Sequence, residues 1–142
     1  MPYGAETFIM VFQLREKINL KVLKNMAVTK KVSKEDVMAQ IPKLLDHLLK
    51  DWKAYSDRAG FRPEHKSNKI YTFEKGSSYV KIVTSDKDGS SRSVAGFVAL
   101  KDGKFPAGTI LKAAGWKAPA TNFSRGDIFD SKTWNYRWTG IG

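Results

Sequence analysis

Lys69-Ile-Tyr-Thr-Phe-Glu-Lys-Gly-Ser-Ser-Tyr-Val-Lys-Ile-Val-Thr84 is the stretch whose reading decides the fold. β-Branched and aromatic residues crowd both sides of Glu74-Lys-Gly-Ser77, a break with the composition of a hairpin turn. Ser93-Val-Ala-Gly-Phe-Val-Ala-Leu100 repeats the pattern after the break Asp86-Lys-Asp-Gly-Ser-Ser91, and Lys101-Asp-Gly-Lys104 closes it. Connections this short join antiparallel neighbours, because a parallel pair needs a long crossover. Thr109-Ile-Leu-Lys112 and Gly126-Asp-Ile-Phe129 add two shorter candidate strands. Along the second strand, Val80 and Ile82 share one face, with Tyr79, Lys81 and Val83 opposite. Along the third, Val94, Val98 and Leu100 share a face, with Phe97 and Lys101 opposite. One face is expected to hold a helix and the other to carry Tyr71, Phe73, Tyr79, Lys81 and Phe97.

The helix is expected immediately upstream. Ser33 has the chemistry of an N-cap, and Glu35 and Asp36 place acids in the first turn. Val37, Ile41, Leu44, Leu45, Leu48, Leu49, Trp52 and Tyr55 then recur at spacings of three and four, one apolar stripe. Pro42 predicts a kink or two consecutive helices, and Gly60 a stop. Burial of the stripe against the sheet explains it better than a partner groove. The expected architecture is therefore α+β, a long N-terminal helix packed on an antiparallel sheet of about four or five strands. It occupies residues 33–142, preceded by a basic arm or extension over residues 1–32. Phe8 to Phe12 is a possible strand, and Leu14, Ile18 and Val22 lie at helical spacing among Arg15, Lys17 and Lys24. Met26 opens a second plausible start, so residues 1–25 read either as a native extension or as an upstream start.

The 142 residues bound one domain, large enough to bury a core without disulfides or metal. Cysteine is absent, which removes thiol catalysis and zinc–thiolate sites. No apolar run reaches the ~18 residues of a membrane span, and the N-terminus lacks the features of a signal peptide. The net charge is +11. Residues 34–65 hold six Lys/Arg and six Asp/Glu, whereas residues 66–142 hold thirteen against six. The positive charge that attracts nucleic acid, anionic lipid or an acidic protein thus belongs mainly to the C-terminal half.

Within that half, Ile110-Leu-Lys-Ala-Ala-Gly-Trp-Lys-Ala-Pro-Ala120 sets Trp116 between Lys112 and Lys117, and Arg125-Gly126 follows. Cations beside an aromatic suit a stacked base and its phosphate. The competing reading packs Trp116 over the open end of the sheet and pairs Arg125 with Asp127 or Asp130. Tyr79, Lys81 and Arg92 join as candidates from the sheet. An aromatic face of Tyr71, Phe73, Tyr79 and Phe97 is similar to the platforms of sheet-based RNA binders, although a core role explains these residues better. Asp86 to Ser91 imitates the start of a calcium loop but has Ala95 where the bidentate Glu belongs. No P-loop and no Ser/His/Asp arrangement is present, and His47 and His65 have no companion ligand or nucleophile. No metal, cofactor or catalytic residue is expected.

The order Tyr79 to Val83, Arg92-Ser-Val94, Phe97-Val98, the Trp-Lys-Ala-Pro-Ala loop ending at Ala120, Arg125-Gly-Asp-Ile-Phe129 and an aromatic tail resembles a group of small uncharacterised phage-encoded proteins. The resemblance covers about residues 69–138. It implies a phage or phage-derived origin, hence the cytoplasm of an infected cell, and it implies no activity.

The expected function is binding of single-stranded RNA or DNA with low sequence specificity, through Tyr79, Lys81, Arg92, Lys112, Trp116, Lys117 and Arg125. Two alternatives stand beside it. One is a phage protein that binds an acidic host or phage protein, as inhibitor or assembly component. The other is a small-nucleotide binder with a pocket near Trp116. The tail Trp134-Asn-Tyr-Arg-Trp138 is compatible with all three, or with closing the core.

Overall fold

The computed structural model describes residues 32–142; the arm expected over 1–32 lies outside the described residues except for Val32. Helix α1 runs Lys34–Arg58. Its start is a capping box, the Ser33 hydroxyl accepting from the Asp36 amide and the Asp36 carboxylate accepting from the Ser33 amide, each at 3.0 Å. Pro42 is accommodated inside one continuous helix rather than dividing it in two. At the other end Gly60 adopts φ +73°, a left-handed conformation that costs glycine little. The Phe61 amide reaches Ser56 O and the Gly60 amide Asp57 O, which closes the last turn. A short helix α2, Pro63–Lys66, leads into the sheet.

Five strands follow in sequential order, each antiparallel to the next: β1 Lys69–Lys75, β2 Tyr79–Asp86, β3 Ser93–Ala99, β4 Thr109–Leu111 and β5 Gly126–Asp127. The α+β architecture read from the sequence is thus the one observed. Val37, Ile41, Leu44 and Leu48 of α1 are fully buried, and Trp52 nearly so. They join Tyr71, Val80, Ile82, Val98, Ile110 and Ile128 in one core.

Two details of the expected faces are corrected. The β1–β2 turn places Lys75 opposite Val80, so Tyr71 and Phe73 share the helix side with Thr84 and Ile82. Tyr79, Lys81 and Phe97 remain together on the other side, where Lys81 lies opposite Phe97. The five-residue aromatic face is therefore split. A bulge then interrupts β3: Ile82 pairs with Gly96 but Val83 with Val94, leaving Ala95 as the extra residue. Val94 consequently moves to the face opposite Val98. Gly96 is required there, since a Cβ would come within 2.5 Å of Ile141 Cδ1.

The C-terminal tail closes the core. The Tyr71 hydroxyl donates to Trp138 O at 2.6 Å, and Asp51 Oδ2 accepts from the Trp138 amide at 2.7 Å. The Tyr136 hydroxyl donates to Arg125 O at 2.6 Å, and the Ile141 amide to Ala95 O at 2.8 Å. Burial, with a smaller push from the Asp51 carboxylate, holds the Tyr71 phenol well above the ordinary phenol range. Burial, aided by the Asp127 carboxylate, does the same for Tyr136.

Candidate nucleic-acid interface

After β4 the chain turns back on itself. The Ala120 amide donates to Lys112 O at 2.7 Å and the Ala114 amide to Ala118 O at 3.0 Å, with Ala113 bridged to Pro119. Gly115, Trp116 and Lys117 form the tip of this small hairpin. The tip folds over the sheet face opposite α1, because Lys81 Nζ lies 4.3 Å and Arg92 Cζ 5.1 Å from the Trp116 ring centroid. Residues from β2, from the β2–β3 connection and from the hairpin are thereby gathered on one face.

Glu74 of β1 ties the cations down. It sits opposite Lys81 across the β1–β2 ladder, with its carboxylate 3.8 Å from Lys81 Nζ and hydrogen-bonded to Arg92. The exposures are unequal: the Lys81 side chain is only 16 % exposed, whereas Arg92 and Glu74 are 45 % and 48 %. Trp116 itself keeps 43 % of its surface in solvent. A buried plug would hide its ring, and an unanchored surface residue would have no fixed partners. Trp116 has both an open surface and two fixed cationic neighbours.

A groove of about 380 Å³ runs alongside, lined by Glu74, Lys75, Tyr79, Lys81, Phe97 and Lys117. Tyr79 and Phe97 meet edge to face within it, ring centroids 6.2 Å apart. Five of the seven sequence-derived candidates, Tyr79, Lys81, Arg92, Trp116 and Lys117, thus occupy one face of the sheet. Lys112 does not join them: its aliphatic chain runs beside Gly142. Arg125 also stands apart, its guanidinium 5.5 Å over the Phe123 ring and its Nε buried without a hydrogen-bond partner among the described residues. Among those residues it forms no ion pair with Asp127 or Asp130. Sequence reasoning missed Glu74, because its place across from Lys81 depends on a strand register that the turn at Gly76 leaves open by one residue.

The cluster can hold a planar ring and neutralise an anion. Trp116 supplies a π surface, and Arg92 and Lys117 supply exposed cations on its face of the sheet. Glu74, half-exposed, is shared between the two cations Lys81 and Arg92. Among the described residues no group of three or more His, Asp or Glu side chains could hold a metal, and no helix is long and apolar enough to cross a membrane.

Fold and site together define a small basic α+β domain with a cation-flanked tryptophan on the sheet face its helix leaves open. The chain belongs to DUF7717, a family of unknown function whose sequence model matches residues 7–140. No curated protein and no solved structure matches it.

Proposed function

We propose that this protein binds single-stranded nucleic acid on the sheet face opposite α1, with little sequence preference. The observation that carries the reading is the Trp116 indole, open to solvent while Lys81 and Arg92 lie within 5.1 Å of its ring centre. A base stacked on such a ring contributes about 1–3 kcal/mol, whatever its identity. Arg92 and Lys117 neutralise the phosphates on either side, and Glu74 gives up part of its hold on Arg92 as a phosphate arrives. Tyr79 extends the aromatic surface along the groove. Stacking on an indole accepts any base, hence the low sequence preference. Duplex is disfavoured because its bases are already stacked and offer no free π face. By its resemblance to phage-encoded proteins, we assign the protein the same setting, the cytoplasm of an infected cell.

Fluorescence anisotropy of labelled single-stranded RNA, single-stranded DNA and duplex DNA at several salt concentrations tests this. Micromolar or tighter binding of single strands is expected, falling with salt and weakened in Trp116→Ala and Lys117→Ala proteins that remain folded. No binding at low salt overturns the reading and turns attention to an acidic protein partner.

A further inference from the structure

A second aromatic site lies on the other side of the sheet, at the C-terminal end of α1. Trp52, Tyr55, Phe61 and Trp138 form its walls, with ring centroids 5.0 Å apart for Trp52–Trp138 and Tyr55–Trp138 and 5.8 Å for Trp52–Phe61. Trp52–Trp138 and Tyr55–Phe61 meet edge to face, at 66° and 89°, so the rings pack on one another as an angled aromatic surface instead of a flat slab. A recess of about 300 Å³ over that surface is open to solvent and has Asp86 at its margin. The walls are set in advance. The Trp52 indole N–H donates to Lys66 O at 2.8 Å, and Trp138 is held through its backbone by Asp51 and Tyr71. A simple extension of the core would close over these rings; here only Trp52 is buried, while Tyr55, Phe61 and Trp138 remain partly exposed around the opening.

The site already holds an ammonium group. Lys69 Nζ lies 5.1 Å from the Trp52 ring centre and 5.4 Å from that of Trp138. We propose that this aromatic recess is a binding site for a quaternary ammonium group, with the Lys69 side chain as its internal occupant. The π faces select a cation. A primary ammonium surrenders strong hydration to sit there, whereas a trimethylammonium group surrenders less and fills more of the volume. Displacement has a ready outlet: Lys69 pairs with Asp86 across the β1–β2 ladder, on the same face of the sheet. On ligand entry the lysine swings from the rings to that carboxylate. The site is independent of Trp116, so its fate does not depend on nucleic-acid binding.

The four tryptophans give four indole N–H signals in a nitrogen–proton correlation spectrum. Choline and acetyl-trimethyllysine amide are titrated as the two sources of the group, with 3,3-dimethylbutan-1-ol as neutral isostere. Both cations are expected to shift the Trp52 and Trp138 signals saturably and leave Trp116 unmoved, and the tighter of the two names the source. The alcohol is expected to do neither. Lys69→Ala is expected to tighten binding about two- to tenfold, one cation–π contact's worth. Tyr55→Leu, which keeps an apolar side chain at that wall, is expected to weaken it. Equal response to the alcohol, shifts confined to Trp116, or no response in either the native protein or Lys69→Ala would overturn the proposal.

Discussion

Glu74 shows how a single carboxylate sets the readiness of the Trp116 face. It lies 3.8 Å from Lys81 Nζ and bonds Arg92, holding both beside the indole while cancelling part of their charge. At about half exposure, such pairs contribute little to stability. On the proposed function, their effect falls on the phosphate that competes with Glu74. Removing one charge at this distance in a water-like dielectric is worth about 1 kcal/mol. Glu74→Gln is therefore expected to bind single-stranded nucleic acid about fivefold more tightly at low salt, the gain shrinking as salt screens it. Equal affinity of the two proteins in anisotropy titrations would mean that no phosphate visits Arg92. The tyrosines provide a second residue-scale test. Burial favours the neutral phenols of Tyr71 and Tyr136, whose folded-state values lie above that of the unfolded chain. Their contribution is complete below the unfolded value of about 10 and is lost as pH rises beyond it. Urea midpoints measured from pH 8 upward should hold and then fall above about pH 10. Tyr71→Phe and Tyr136→Phe should each flatten that fall while lowering the plateau, since each loses a hydrogen bond to a backbone carbonyl. An unchanged alkaline limb in both variants would assign the fall to other groups.

At the scale of elements, the apolar stripe of α1 and the strand–turn rhythm after Lys69 were legible because each rests on local chemistry. Ser33 caps the helix as its type and position require, and the capping box binds two otherwise unpaired amides. Ser33→Ala is expected to cost about 1 kcal/mol, read as a lower urea midpoint at unchanged slope, and Ser33→Asp to restore most of it. A midpoint insensitive to Ser33→Ala would show that the helix start is fixed by its packing instead. What escaped the sequence was non-local. The faces of Tyr71 and Phe73 depended on the β1–β2 register, which a turn of Gly and Ser leaves open by one residue. The face of Val94 depended on a bulge at Ala95, next to Gly96, whose missing side chain leaves room for Ile141. The tail was read only as an aromatic segment. Its place beneath α1 rests on the bond between Trp138 and Asp51, 87 residues apart. Of the candidate site, the Trp116 hairpin was visible as a motif. Its meeting with Lys81 and Arg92 was not, because the hairpin bends back across two strands to reach them.

Over the whole molecule, charge and geometry divide the labour. The segment 34–65 that supplies α1 is neutral by count, and the larger part of the cationic excess lies in residues 66–142, the rest in residues 1–33. A net charge of +11 draws any polyanion toward the protein, so binding alone does not identify the interface. Location is tested by moving the same charge. Lys117→Glu and Lys43→Glu change the total equally, but Lys117 lines the groove beside Tyr79, whereas Lys43 is exposed on α1. If the sheet face is the interface, Lys117→Glu weakens single-strand binding severalfold more than Lys43→Glu and lowers the salt slope. With Arg92 and Lys117 engaging phosphates, the slope of log affinity against log salt should be about −1.4, since each neutralised phosphate of a single strand contributes about −0.7. A slope well beyond that value would bring the six Lys/Arg of residues 1–33 into the contact. Equal losses in the two variants would reduce the interaction to net charge and deny the Trp116 face its role. That comparison separates a site from a field, because the two proteins carry the same total charge and differ only in where it sits.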